Sequence, residues 1–199
     1  MIVFLSRKRI ILRGVGTYER DMTLIIAIDP GLSGGIAWQD GDGIIHAEAM
    51  PENMTAQANL IRAINSSYFL YSAIMERTGT YVPGNSSPAA VTFARHCGNL
   101  EAILYMARIP TVQVSPQKWQ AVLPLTKFPP IPKGTRSDPK IKKAETARRK
   151  MIHKREIKEE MQRRHPHLRV TLKTADALGL LAFEIQRETI AKRRDNNEV

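Results

Sequence analysis

Cysteine is almost missing from this chain: Cys97 is the only one in 199 residues. A lone thiol excludes an intrachain disulfide and a thiolate-held metal cluster, and it suits a reducing compartment. Long hydrophobic runs are missing as well. No stretch approaches the roughly 20 apolar residues that cross a bilayer, so no membrane span is expected. Aromatic residues supply only 6% of the chain, and acids are outnumbered, with 19 Asp and Glu against 30 Lys and Arg and a formal charge of +11. That imbalance points to a polyanionic partner, above all nucleic acid, with an anionic membrane surface as the weaker alternative. A hydrophobic content of 43% over this length suffices for one domain with a full core.

Residues 1–21 carry Arg7, Lys8, Arg9 and Arg13 around a short apolar patch and read as an extension outside the fold. A targeting peptide is the other reading, but the apolar stretch is broken and no cleavage site follows it. The folded unit is expected over residues 22–192, with 193–199 as a tail. Residues 24–50 read as two or three strands, with turns at Gly34-Gly35 and at Asp40-Gly41-Asp42-Gly43. A helix is expected at 56–65, then a core strand from Tyr71 through Met75 that ends in Glu76. Ser87-Pro88 opens the next helix. Its apolar stripe is Phe93, Cys97, Leu100, Leu104 and Ala107, and a second stripe of Ala90, Ala94, Gly98 and Ala102 reads as a closely approached face.

Residues 111–114 form a short strand, and Ser115-Pro116 caps a helix carrying Lys118 and Trp119. Three prolines between Phe128 and Gly134 exclude regular structure there. A helix follows over residues 139–164, with a thin apolar stripe of Ile141, Ala144, Met151 and Met161 and a dense set of basic residues around it. Thr174-Ala175-Asp176 opens a last helix whose inner face is Leu178, Leu181, Ala182 and Ile185. This order describes an α/β domain, a mixed sheet covered by helices.

Three acids stand at the ends of core elements rather than on solvated faces: Asp29, Glu76 and Asp176. Each has an ordinary explanation, as a turn residue, a strand-end charge and a first-turn acid favoured by the helix dipole. If the two strands are neighbours and the last helix packs across them, the carboxylates converge. Hard oxygens of that kind hold Mg²⁺ or Mn²⁺, and two such ions about 4 Å apart drive phosphodiester hydrolysis. Convergence on so basic a protein predicts a nuclease.

Ile28-Asp29-Pro30-Gly31 with its glycine hairpin, Ala73-Ile74-Met75-Glu76, Val114-Ser115-Pro116-Gln117-Lys118-Trp119 and Thr174-Ala175-Asp176-Ala177-Leu178 together resemble the RuvC-type Holliday junction resolvases of the ribonuclease H-like superfamily, in a divergent phage or bacterial branch. The resemblance covers about residues 24 to 190. It implies a five-stranded mixed sheet flanked by helices, a homodimer, Mg²⁺-dependent paired nicking of four-way DNA, and a cytoplasmic place in a bacterium or phage-infected cell, with organellar targeting by residues 1–21 as the alternative. Asp29, Glu76 and Asp176 match three of the family's four acidic positions. The fourth falls on Lys173, which implies either one metal ion instead of two or an ammonium that stabilises the phosphate. Glu101 is a candidate substitute ligand.

Candidate DNA contacts are Arg77 and Tyr81 in the loop after Glu76, Lys118, Arg136, and Lys140, Lys142, Lys143, Arg148 and Arg149 of the basic helix. Tyr81 could stack on an unpaired base. Trp119 reads as core rather than a stacking platform. The competing functions are a catalytically weak junction-binding protein, a flap or RNA nuclease, and an actin-like ATPase, the last disfavoured because no second glycine-rich phosphate loop follows a strand.

Overall fold

Alternation in the first strand decides the architecture. In β1 (Ile25–Asp29) the four residues before Asp29 are all buried, so both faces of the sheet must be covered. Ile26 and Ile28 join one core and Ile25 and Ala27 the other, as a period of two requires. The computed structural model describes residues 24–68, 72–77, 87–131 and 139–197. Residues 1–21, Tyr81 and Arg136 lie outside them.

After β1 come β2 (Gly35–Gln39) and β3 (Ile45–Ala49), then α1 (Met54–Tyr68) and β4 (Ser72–Glu76). Next are α2 (Ser87–Met106), β5 (Thr111–Val114) and α3 (Pro116–Gln120), and finally α4 (Pro139–Arg164) and α5 (Ala175–Asn197). The sheet has five strands in the order β3-β2-β1-β4-β5. β1 pairs antiparallel with β2 and β2 with β3, whereas β4 and β5 run parallel to β1. This is the five-stranded mixed sheet flanked by helices expected above.

One face packs on α1 and α2 through Ile26, Ile28, Ile61, Met75, Leu100 and Leu104. The other carries Ile25, Ala27, Ile74 and Val114 against Trp119, Ile157, Met161 and the inner face of α5. The small side chains of Ala27 and Ala37 let α5 lie close on the middle strands. No helix among the described residues is long and apolar enough to cross a membrane.

The turn between β2 and β3 is held by Asp40. Its carboxylate accepts from the backbone N–H of Asp42 at 2.9 Å and of Ile44 at 2.8 Å, and pairs with His46 Nε2 at 2.7 Å. Burial pushes the Asp40 carboxyl up, but these donors outweigh it and hold it below its usual range. His46 also stacks on Trp38, with centroids 5.2 Å apart.

Several expectations need correction. The Ala90, Ala94, Gly98 and Ala102 stripe of α2 is exposed, and a Cβ on Gly98 would meet nothing within 4 Å, so among the described residues nothing approaches Gly98. Pro116 starts α3, but Ser115 makes no side-chain cap there. In α4 the buried residues are Ile157 and Met161, whereas Ile141 and Met151 are 52% and 59% exposed because the first half of the helix extends past the core. The expected tail lies partly in α5, which runs to Asn197.

The segment before α4 has no regular structure through Ile131, as its prolines require, yet it is strapped down. Glu156 accepts from the backbone N–H of Thr126 at 3.1 Å and from its hydroxyl. Arg149 donates to the Pro129 carbonyl at 2.6 Å and covers the Phe128 ring at 5.1 Å.

Candidate active site

The two strand-end acids are placed by register. Ile28 of β1 pairs with Met75 of β4 in a parallel ladder, so the next step sets Asp29 beside Glu76. Counting by twos, Asp29 shares the face of Ile25 and Ala27, and Glu76 shares that of Ile74, the side that α5 covers. Asp176 lies in the first turn of α5, where the helix dipole favours an anion. Three carboxylates from three elements therefore meet at the carboxyl ends of two parallel strands.

Glycines permit this closeness. A Cβ on Gly34 would collide with the Asp29 carbonyl, and one on Gly35 would stand 2.5 Å from the Lys173 carbonyl oxygen and 2.8 Å from that of Glu48. Gly35 thus lets the chain entering α5 descend onto β2 and carry Asp176 to the strand ends. Gly31, at φ 113°, closes the turn after Asp29 in a conformation open chiefly to glycine.

Ionisation is opposed throughout the cluster. Burial, then the charges of Asp176 and Glu76, push the Asp29 carboxyl up to about 8. Burial raises Glu76 and Asp176 as well, and Asp176 adds to the rise at Glu76. Trp119 works against it: its fully buried indole donates from Nε1 to Glu76 Oε2 at 2.8 Å. The ring is seated on Gly179, where a Cβ would come within 2.6 Å of it, one turn beyond Asp176. The expectation of a core role for Trp119 holds, and the hydrogen bond adds a task that spacing alone did not reveal.

The charge of Lys154 on α4 pulls the carboxyls of all three acids down, favouring their ionised forms, so its ammonium acts on the cluster from an exposed position. The sequence reading put Lys173 there. Lys173 is exposed, and its carbonyl lies against Gly35. The missed signal was periodic, since Lys154 stands one turn before the buried Ile157 and two before Met161 on one helix face.

The remaining candidates are dispersed. Glu101 does not substitute as a ligand: it is exposed and accepts from Gln113 Nε2 at 2.7 Å. Arg77 is exposed directly after Glu76, its N–H donating to the Val114 carbonyl at 2.7 Å, and Lys118 is exposed on α3. Arg148 and Arg149 both bind Glu145, at 2.8 and 2.7 Å, which pulls its carboxyl down to about 2. Lys140, Lys142 and Lys143 are exposed on the projecting half of α4.

The donor chemistry fits a hard divalent cation, because half-buried like-charged carboxylates gain most from one. Among the described residues no three such side chains close into a ready-made ligand set. Mg²⁺ accommodates that by keeping waters and taking phosphate oxygens.

No protein-family model and no curated protein matches the chain. Two solved structures are similar to it in outline. Thermus thermophilus RuvC in complex with Holliday junction substrate has 14% identity over 83% of this chain and 96% of its own, with a TM-score of 0.49. A second Thermus thermophilus RuvC structure has 15% identity over 84% and 98%, with a TM-score of 0.45.

Proposed function

We propose that the protein is a metal-dependent, structure-selective DNA endonuclease that resolves four-way junctions by paired phosphodiester hydrolysis. The observation that carries this reading is the convergence of Asp29, Glu76 and Asp176, whose ionisation is opposed by burial and mutual charge, on a protein of charge +11. Carboxylates so placed are a cost to the fold unless a cation uses them. Asp29, Glu76 and Asp176 would hold Mg²⁺ or Mn²⁺, which when bound supplies an activated water and neutralises charge on the phosphate. Trp119 fixes Glu76 by Oε2 and leaves Oε1 for that task. Lys154, whose charge acts on all three acids, would offer its ammonium to a scissile phosphate held by them.

A homodimer accompanies this reading. Val91, Ala94, Gly98, Ala102 and Tyr105 form one exposed stripe along α2, with Val91 and Tyr105 67% and 81% exposed. Such a stripe on a monomer would be an uncovered apolar surface. Gly98→Glu should leave the fold intact and convert a dimer to a monomer in analytical ultracentrifugation.

Labelled four-way junction, flap, duplex and RNA substrates incubated with Mg²⁺ or Mn²⁺ test the function. Symmetric nicks in the junction are expected, and Asp29→Asn should abolish them while sparing binding. Junction binding without nicks would favour the second reading, a binding protein with little catalysis. Lys173, where the resemblance places a fourth acid, is the observation on its side.

A further inference from the structure

Four arginines of α4 are engaged by acids of the same helix. Arg148 and Arg149 bind Glu145, Arg163 and Arg164 bind Glu160 at 2.8 and 2.7 Å, and Arg149 also fastens the Phe128-Pro129 segment. These guanidinium groups are spent largely on the protein itself.

One stripe of the helix changes chemistry along its length. At about 100° per residue, Lys143, Lys150, Lys154, Ile157 and Met161 all fall within about 60° of one another. Ile157 and Met161 are buried against the α5 side of the core, at 1% and 0% exposure. The stripe that packs the second half of α4 onto the domain therefore continues, where the helix leaves the domain, as lysines. No ion pair with an acid engages Lys143 or Lys150 among the described residues, and both are exposed. Lys154, at the junction of the two halves, carries the charge that acts on the acid cluster.

We propose that Lys143, Lys150 and Lys154 form a phosphate track, a stripe of α4 along which the sugar-phosphate backbone of the cleaved strand runs into the acid cluster. The proposal rests on the nuclease reading above and adds which face of α4 carries the substrate. The track is about 16 Å long from Lys143 to Lys154, at 1.5 Å per residue. At 3.4 Å of rise per nucleotide on one strand, that length accompanies about five phosphates. Arg148 and Arg163, about 150° around the helix from the stripe, face away from such a strand.

The test is anisotropy of a labelled four-way DNA junction titrated with protein between 50 and 200 mM salt, about the range over which phosphate contacts are resolved, with EDTA present to prevent cutting. Lys143→Gln and Lys150→Gln should each flatten the slope of log affinity against log salt by about 0.9, and the pair by about twice that. Arg148→Gln and Arg163→Gln remove the same charge and should leave the slope unchanged. Lys150→Arg should restore it. Equal effects of all four Gln variants would overturn the track in favour of net charge alone, as would lysine variants with wild-type slopes. Failure of the wild-type protein to bind DNA at any salt would overturn the nuclease reading itself, and the track with it.

Discussion

Replacing Asp29 by Asn should abolish cleavage and also make the metal-free protein more stable at alkaline pH. Asp29 is raised from 3.8 to about 8 by burial and by Asp176 and Glu76, so the folded protein keeps a proton that the unfolded chain releases. The sign follows from linkage. Below about pH 4 both states hold the proton and no penalty exists; as pH rises towards 8 the unfolded state binds fewer protons, and stability is lost. Each pH unit across that window costs up to 1.36 kcal/mol, an upper limit of about 5 kcal/mol. Relaxation and water penetration into a site that is not sealed cut this to about 2 to 3 kcal/mol. Asn fills the same space without a titrating charge, so Asp29→Asn should gain about that much at pH 8 and almost nothing below about pH 4. The assay is urea denaturation in EDTA at both pH values. Mg²⁺ at 100 times its dissociation constant should then restore about 2.7 kcal/mol to the wild type and little to the variant. An Asp29→Asn protein no more stable than wild type at pH 8, or a gain of equal size at both pH values, would refute the burial of like charges on which the site rests.

Three other outcomes follow from the same contacts. Lys154→Ala should reduce junction cleavage by at least tenfold, whereas Lys173→Ala should change it less than threefold, as measured by single-turnover nicking; a single side chain placed to stabilise transition-state charge commonly contributes on the order of 10² or more. Trp119→Phe keeps the ring in the core but loses the indole donor to Glu76, and should cost about 1.5 to 3 kcal/mol in urea denaturation while raising the Mg²⁺ concentration needed for half-maximal cleavage. Asp40→Ala removes two backbone caps and the His46 partner from the β2–β3 turn and should cost about 1 to 3 kcal/mol above pH 4, fading in more acidic solution as the wild-type carboxylate is itself protonated.

Much of this was legible in the sequence because it rests on local chemistry. Asp29 before Pro30-Gly31, the β-rich run after it, and Ser87-Pro88 announce their own structures, and the period of two puts Asp29 and Glu76 on one face once their strands are neighbours. The bounds of α4 were readable because Pro139 begins it and His165-Pro166 follows it. What stayed hidden depends on contacts distant in sequence. Trp119 bonds an acid 43 residues away, and nothing in its spacing signals an indole N–H seeking a carboxylate. Charge composition suggested that all of α4 is one basic surface, but Glu145 and Glu160 engage four of its arginines, and only the packing of Ile157 and Met161 says which lysines continue the buried stripe. The backbone contact of Lys173 was hidden for a related reason: its carbonyl lies against Gly35, a residue 138 positions away.

The change from isoleucine and methionine to lysine along one stripe of α4 makes the helix a phase-locked part. Its core half fixes the rotation of its outer half, because no loop separates them. A single residue inserted between Lys154 and Ile157 would turn every lysine upstream by about 100° while leaving the hydrophobic anchor untouched. Four inserted residues would bring the lysines back to within about 40° of their original heading, displaced outward by about 6 Å. Insertion length at that point is thus a dial on substrate alignment that leaves the acids and the sheet alone, and its response should rise and fall with the helical repeat rather than with the number of residues added.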